Sequence, residues 1–309
     1  MPTLLFRSPS DPGPRWRAAL QRAVPDLEVR IWPDCGDPDE IDYALVWASP
    51  DGFLRELPNL RVVFSLGAGV DHLVGAELPS GVPLVRMVDP ALTEGMVEYV
   101  VYQVLRHHRG MPTYERQQAA RRWETHDQVR PGDRRIGILG LGELGGACAR
   151  ALAGLGFDVA GHARSERRIE GVTTFHGATA LPAFLARTDI LVCLLPLTPE
   201  TRGILGSATL RRLPRGAVVI NAARGAHVVE EDLLVALGEG HLAHAVLDAF
   251  EHEPLASDHP FWRHPRITVT PHIASLTNPE TGARHVAEGI RRDRSGEPLL
   301  HVVDLDRGY

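Results

Sequence analysis

The stretch RIGILGLGELG, residues 135–145, decides the fold class. Its first half, Arg135–Leu139, is an apolar run typical of a buried β-strand, and a helical pattern follows its last glycine. Between strand and helix lies the pattern GxGxxG, in the context that a dinucleotide site requires. Gly140 permits the tight turn, Gly142 lets the backbone approach a pyrophosphate, and Gly145 lets the helix pack on the strand.

The start of this helix and the end of the next strand indicate which dinucleotide binds. The helix N-terminus, with Glu143 and Leu144, offers backbone N–H groups to an anion. After the next predicted strand, an NAD site would carry an acid for the ribose hydroxyl, but this chain has Ala163 there, followed by Arg164 and Ser165. Positive charge at this position favours a 2′-phosphate. We therefore predict NADP(H) as the preferred cofactor, with NAD(H) as the alternative, and Glu166 as the residue that could oppose this preference.

Short apolar strands alternate with helical patterns along the chain, which is typical of parallel α/β sheets covered on both faces. We predict two doubly wound parallel-sheet domains, a Rossmann cofactor domain inserted in a flavodoxin-like substrate domain. The predicted strands are Thr3–Arg7, Tyr43–Trp47, Val62–Ser65, Pro83–Val85, Arg135–Leu139, Phe157–His162, Ile190–Cys193, Val218–Asn221, Ala245–Asp248 and Ile267–Val269. The shorter predicted helices are Leu144–Leu155, Ala180–Ala186, Pro199–Arg202 and Glu230–Glu239.

Two long helical patterns mark the domain boundaries. The first, Thr93–Arg109, is expected to end at Met111-Pro112, and the second opens at Asn278 and runs to about Arg294. They flank one α/β unit, so the chain leaves the first domain and later returns to it. We predict a discontinuous substrate domain of residues 1–93 and 282–309, and a dinucleotide-binding domain of residues 94–281.

Composition excludes several classes of protein. The chain has 309 residues, a net charge of −6 and 44% apolar residues, which suits two packed cores and argues against a nucleic-acid binder. All 33 basic residues are arginine, so chemistry that needs a lysine amine, including Schiff bases and the P-loop, is ruled out. Neither a membrane span nor a signal peptide is indicated, and we expect a cytoplasmic protein.

No metal site is predicted from the cysteines and histidines. The three cysteines are far apart, without zinc-like or disulfide-framework spacing. Five histidines lack partners at metal-ligand spacing and are expected to be solvated; these are His107, His108, His126, His241 and His244.

Functional groups gather in three segments that each follow a predicted strand, where α/β sheets build their sites. The segments are NAARG at 221–225, DAFEHEP at 248–254 and TPHIA at 270–274. With the glycine motif, LGAGVD at 66–71 and LLPLTPET at 194–201, they resemble the D-isomer-specific 2-hydroxyacid dehydrogenase family over nearly the whole chain. Val46-Trp47, VEY at 97–99 and the stretch 255–265 are similar to its bacterial glyoxylate/hydroxypyruvate reductases.

The chemistry of three residues agrees with this resemblance. His272 is the candidate proton donor, because imidazole titrates near neutrality. Glu253 is its candidate partner, since a carboxylate stabilises imidazolium, and Glu251 is the local competitor for this role. Arg224 can hold a planar carboxylate with two hydrogen bonds and polarise the adjacent carbonyl.

The resemblance assigns further positions. It implies that the backbone N–H groups of Ala68, Gly69 and Val70 bind the substrate carboxylate from the other domain, and Trp47 either lines the substrate pocket or fills the core. Asp248 either orients the site or caps a loop. The remaining cofactor contacts are expected at Leu195, Pro196, Ala222, Ala223, Arg224, Asp248 and His272.

The implied function is NADPH-dependent reduction of a small 2-oxoacid, glyoxylate or hydroxypyruvate, by a protein that forms a homodimer. Trp123 is a candidate to reach across the dimer interface. Two alternatives stay open at this point. One is a phosphonate, formate or other 2-hydroxyacid dehydrogenase on the same scaffold, and the other is a non-catalytic nucleotide-sensing module.

Overall fold

A computed structural model describes residues 1–47, 52–74 and 78–308. The helices are α1 (Gly13–Ala23), α2 (Pro90–His108), α3 (Met111–Ala119), α4 (Glu143–Gly154), α5 (Leu181–Ala186), α6 (Ser207–Leu210), α7 (Glu230–Gly238) and α8 (Pro279–Ser295). The strands are β1 (Thr3–Arg7), β2 (Glu28–Ile31), β3 (Tyr43–Val46), β4 (Val62–Ser65), β5 (Leu84–Val85), β6 (Arg135–Leu139), β7 (Asp158–Ala163), β8 (Val172–His176), β9 (Ile190–Cys193), β10 (Ala217–Asn221), β11 (Leu242–Leu247) and β12 (Ile267–Val269).

The chain divides into two compact units, Met1–Leu92 with Leu276–Tyr309, and Thr93–Ser275. The first unit contains a parallel sheet in the order β2-β1-β3-β4-β5, which is the flavodoxin-like order. Helix α8 returns the chain to this unit through two close approaches. An added Cβ at Gly282 would lie 2.6 Å from Trp16 of α1, and one at Gly289 would lie 2.4 Å from Phe64 of β4.

The second unit contains a seven-stranded parallel sheet in the order β12-β11-β10-β9-β6-β7-β8, the Rossmann order with one additional strand. Alternate residues of a strand belong to different cores, because helices cover both faces. In β9, Ile190 and Val192 pack in one cluster, and Leu191 and Cys193 pack in the other. The predicted fold class, two doubly wound parallel sheets, is confirmed.

Several local predictions are wrong. Residues 199–202 form turns instead of a helix, because Thr201 Oγ1 donates to the carbonyl of Pro196 and accepts from Thr198 N. Met111-Pro112 does not close a helical region but opens α3, where proline suits the first turn; Gly110, at φ 67°, separates α2 from α3. The sequence analysis did not predict β2, β8, α1 or α6.

The expectation that the five histidines named above are solvated is also wrong for part of the set. His108 and His244 are each only 7% exposed, and the ring of His107 packs on that of His244 at 4.7 Å between centroids. Burial lowers the pKa of His107 to about 3 and that of His244 to about 4. These rings are neutral members of the core.

Among the described residues, none of the helices combines the length and the apolar composition that a bilayer crossing requires.

Candidate active site

The glycine loop between β6 and α4 has the geometry that a dinucleotide needs. Gly140 has φ +97°, and a Cβ there would lie 2.7 Å from the carbonyl oxygen of Leu194. A Cβ at Gly145 would lie 1.8 Å from Gly140 O, so only glycine permits this helix–strand contact. A Cβ at Gly142 would meet nothing within 4 Å, which leaves space where a phosphate can approach the N-terminus of α4. Glu143 and Leu144 form the first turn of that helix.

The end of β7 carries the residues that were expected to select the cofactor. Ala163 is the last residue of the strand and is buried, whereas Arg164 and Ser165 are exposed. Glu166 forms an exposed ion pair with Arg168, at 3.3 Å between Oε1 and Nη2. The carboxylate of Glu166 is therefore engaged by a neighbouring arginine.

The segment after β9 borders the glycine loop. Leu195 and Pro196 are half-buried, and the carbonyl of Pro196 accepts a 2.7 Å hydrogen bond from Thr201 Oγ1. The pKa of Glu200 is lowered, first by a hydrogen bond from Thr198 and further by the positive charge of Arg164. This charge interaction links the segment to the residues after β7.

Arg224 is held in a turn that begins at the end of β10. The side-chain amide of Asn221 donates to Arg224 O at 2.8 Å, and its oxygen accepts from Ala223 N at 3.3 Å. The Arg224 amide is 3.2 Å from Nδ1 of the buried His227, and its guanidinium donates to Ala223 O at 2.9 Å. Ala222 and Ala223 are each 8% exposed and form the buried start of the turn.

Gly225 brings this turn against the segment that follows β11. A Cβ at position 225 would lie 1.9 Å from the carbonyl carbon of Phe250 and 2.1 Å from Glu251 N. Phe250 N in turn donates to Glu253 Oε1 at 2.8 Å. The close approach at Gly225 therefore places Arg224 near Glu253, and the charge of Arg224 contributes to the lowered pKa of Glu253.

His272 and Glu253 form a hydrogen-bonded pair. His272 Nδ1 is 2.8 Å from Glu253 Oε2, with the two side chains 31% and 36% exposed. Burial raises the pKa of Glu253, but the hydrogen bonds from His272 and Phe250 N, with the charges of His272 and Arg224, outweigh it and leave the pKa below its ordinary value. Glu251 does not compete for His272, because it pairs with Arg202 at 3.0 Å.

The backbone of His272 is in the left-handed region, at φ +54°, which is uncommon for a non-glycine residue. Its N–H donates to the carbonyl of Asp248 at 2.8 Å. The Asp248 carboxylate is 1% exposed and accepts from Ile273 N at 2.9 Å, from Ala274 N at 2.8 Å and from Thr270 Oγ1 at 2.6 Å. Of the two roles considered for Asp248, these contacts favour orienting the loop that carries His272.

The first unit carries the residues that were expected to contact the substrate. The ring of Trp47 packs on His72 at 4.4 Å between centroids, and a Cβ at Gly67 would lie 2.5 Å from that indole. Ala68 and Gly69 are half-buried, and Val70 is 2% exposed. Trp47 thus packs directly on the residue that precedes Ala68.

Sequence reasoning missed two contributors to this site. Thr270 was quoted only as part of a motif, although its hydroxyl binds Asp248. Gly225 was noted only as the end of its segment, although no other residue allows the approach to Phe250. Neither residue has a local sequence signal, because each acts on a segment that is distant in the sequence.

Known proteins resemble this chain over its full length. A family model described as D-isomer specific 2-hydroxyacid dehydrogenase, NAD binding domain, matches residues 101–274. Glyoxylate/hydroxypyruvate reductase A of Yersinia enterocolitica is 43% identical over 312 residues, which cover 99% of each chain.

Two solved structures are also similar. One is a D-isomer specific 2-hydroxyacid dehydrogenase from Xanthobacter autotrophicus Py2 in complex with NADPH and MES. It is 48% identical, with a TM-score of 0.96, and the match covers 100% of this chain and 99% of that one. The other is an NADPH-dependent glyoxylate/hydroxypyruvate reductase from Sinorhizobium meliloti in complex with NADP and sulfate. It is 43% identical, with a TM-score of 0.94 and full coverage of both chains.

Proposed function

Because the chain belongs to the D-isomer specific 2-hydroxyacid dehydrogenase family, we propose that it reduces small 2-oxoacids with NADPH, with glyoxylate and hydroxypyruvate as substrates. The observation that carries the proposal is the His272–Glu253 pair at 2.8 Å, with Arg224 close enough to lower the pKa of Glu253. A proton donor, its carboxylate partner and a cation for the substrate carboxylate are the groups that this reduction requires.

The glycine loop fits NADP(H), since Gly142 leaves open space at the N-terminus of α4. We assign the pyrophosphate to the loop and first turn, Gly140, Gly142, Glu143, Leu144 and Gly145, and the 2′-phosphate to Arg164 and Ser165. The rest of the dinucleotide is assigned to Leu195, Pro196, Ala222, Ala223, Arg224, Asp248 and His272. When bound, the dinucleotide supplies the hydride.

The other steps belong to side chains of this protein. Arg224 binds the substrate carboxylate with two hydrogen bonds and polarises the adjacent carbonyl. Glu253 accepts from His272 Nδ1, which leaves Nε2 as the nitrogen that donates a proton to the developing alkoxide. Glu253 also stabilises the imidazolium before the proton leaves, because its own lowered pKa keeps it ionised at neutral pH.

Residues of the first unit are also assigned to substrate binding. The backbone N–H groups of Ala68, Gly69 and Val70 are assigned to the substrate carboxylate. Trp47 is assigned to the boundary of the pocket, where its indole favours a hydrogen or hydroxymethyl substituent over a large one. Phenylpyruvate is therefore expected to be a poorer substrate than glyoxylate or hydroxypyruvate.

The test follows NADPH oxidation with a panel of 2-oxoacids in wild type and in His272→Ala. Wild type should oxidise NADPH with glyoxylate or hydroxypyruvate, and His272→Ala should lower turnover by about 10²–10⁴-fold. The matched control is His241→Ala, directly before β11 and so at the amino end of the strands, whereas His272 follows the carboxyl end of β12; the His241 ring hydrogen-bonds the carbonyl of Leu210 at 2.9 Å. Near wild-type turnover in His272→Ala would exclude it as the proton donor, and NADP⁺ reduction by formate or a phosphonate alone would favour those dehydrogenases.

We also propose a homodimer and a cytoplasmic location. Large apolar side chains are exposed on and after α2, namely Tyr102, Leu105, Met111 and Trp123, and a hollow of about 590 Å³ lies among α2, α3 and residues 125–128. Exposed apolar patches of this kind mark association sites. Light scattering should give the mass of two chains, and Trp123→Glu should weaken the association.

A further inference from the structure

A chain of hydrogen bonds connects helix α2 to the loop that carries His272. Tyr99, in α2, has its hydroxyl 2.8 Å from Thr270 Oγ1, although 171 positions separate the two residues. The hydroxyl of Thr270 donates to Asp248 Oδ1 at 2.6 Å. Because a threonine hydroxyl has only one proton, Tyr99 must be the donor to Thr270.

The chain continues one helical turn further. The side chain of Gln103, which is 3% exposed, hydrogen-bonds the Tyr99 hydroxyl. Since the Tyr99 proton is directed to Thr270, the Gln103 amide must supply the donor of that bond. Burial raises the pKa of Tyr99 to about 12, so its hydroxyl keeps its proton at neutral pH. Each side chain therefore donates to the next one toward Asp248, and successive hydrogen bonds polarise each other in that direction.

That last acceptor is the Asp248 carboxylate, which also fixes the loop after β12. The carboxylate holds the backbone amides of Ile273 and Ala274, and the Asp248 carbonyl holds the amide of His272. Rotation of the Asp248 side chain would release both residues that follow His272. The left-handed backbone of His272 would then lose part of its support.

We propose that Tyr99 is a positioning residue of the reduction, which acts through Thr270 on Asp248 and thereby aims the His272 imidazole. This inference rests on the proposed function for its effect on turnover, but its geometry does not depend on the substrate. Every residue of this chain of hydrogen bonds lies within the second unit.

The test compares Tyr99→Phe, Thr270→Val and Thr270→Ser. Thr270→Val removes the hydroxyl that binds Asp248 and should lower kcat by about 10- to 100-fold, because misplacement of a reacting group by about 1 Å has effects of this size. Tyr99→Phe should lower kcat by about 3- to 10-fold, roughly the worth of one hydrogen bond. The effect is read as kcat at saturating NADPH, because Asp248 and His272 are themselves assigned to the dinucleotide, and Thr270→Ser should restore most of the turnover that valine removes.

The matched control is Thr268→Val, two positions earlier, where the hydroxyl is 2.9 Å from His244 Nε2 and has no part in the chain. It removes a hydrogen-bonded threonine hydroxyl from the same region and should lower the melting temperature without lowering kcat. In a double-mutant cycle, Tyr99→Phe should add nothing to Thr270→Val, because Tyr99 acts only through that hydroxyl. Full additivity would show that Tyr99 acts by another route.

A second readout needs no turnover. In protein with ¹⁵N-labelled histidine, the imidazole signal that disappears in His272→Gln should shift in Tyr99→Phe and Thr270→Val and stay in place in Thr268→Val. An unmoved signal together with wild-type kcat in Thr270→Val would overturn the inference. If wild type reduces no 2-oxoacid, the proposed function fails, and the His272 signal still decides whether Tyr99 positions the ring.

Discussion

Substitution of Gly225 by alanine should lower turnover more than it lowers the affinity for NADPH, because the pyrophosphate contacts of the glycine loop are unchanged. An alanine Cβ at this position would lie 1.9 Å from the carbonyl carbon of Phe250, whereas real Cβ contacts stay beyond 3.0 Å, so the two segments must part by about 1 Å. Phe250 N holds Glu253, and Glu253 holds His272, so the displacement reaches the proton donor. A shift of about 1 Å in a reacting group lowers rates by about 100-fold, and we expect kcat/KM for the 2-oxoacid to fall by that factor.

The variant should still fold and bind NADPH. Overpacking of this kind destabilises by about 1–3 kcal/mol, against a typical folding free energy of about 5–15 kcal/mol. The assay combines NADPH-oxidation kinetics, NADPH binding by fluorescence titration and the melting temperature. The control is Gly238→Ala, the same substitution at the last residue of α7. An added Cβ there would meet nothing within 4 Å. A folded Gly225→Ala protein with kcat/KM within about threefold of wild type would refute the claim that this close approach positions Glu253.

Three further predictions concern the substrate, the cofactor and acid stability. Arg224→Lys should raise the KM for the 2-oxoacid and lower kcat, because lysine keeps the charge but loses the bidentate geometry. Unchanged kinetics would show that Arg224 does not bind the substrate carboxylate. Wild type should prefer NADPH over NADH by about 10- to 100-fold in kcat/KM, and Ala163→Asp with Arg164→Ala should abolish this preference, whereas equal efficiency in wild type would contradict it. Burial lowers the pKa of His107 to about 3 and of His244 to about 4, so below about pH 6.5 the unfolded chain binds protons that the native state does not. The free energy of unfolding, from urea titrations, should therefore fall from pH 6.5 toward pH 4, and His107→Phe should flatten this dependence; an equal slope in both proteins would contradict the assignment.

The parts that could be predicted from sequence are those whose signal is local. The glycine loop is one, because strand, turn and helix follow one another within residues 135–145 and each glycine has its own steric reason. Strands at the edges of the sheets are harder to predict from sequence. The edge strand β8, Val172–His176, is mostly half-exposed and lacks the fully apolar pattern of a central strand. The start of α3 was misjudged because proline both ends and begins helices, and the neighbouring Gly110 decides which.

The contacts within the candidate site also differ in whether a local sequence signal predicts them. His272 and Glu253 could be paired from their residue types, and the structure places their atoms 2.8 Å apart. The contact of Tyr99 with Thr270 could not be predicted, since no pattern in the sequence relates positions 171 residues apart. The approach of Gly225 to Phe250 is similar, because it depends on the spacing of β10 and β11 in the folded sheet.

The two carboxylates beside His272 have different physical roles. Glu253 and His272 are each about one-third exposed, and an ion pair in such a setting contributes at most about 1 kcal/mol. A left-handed backbone at a non-glycine residue costs about 1–2 kcal/mol, so the pair alone does not hold the loop. Asp248, at 1% exposure and with three donors on its carboxylate, can hold it, because hydrogen bonds to a charged group contribute about 1.5–3 kcal/mol each. Asp248 therefore fixes where the imidazole lies. Glu253, which is partly exposed, instead stabilises the charge of His272 when the imidazole is protonated.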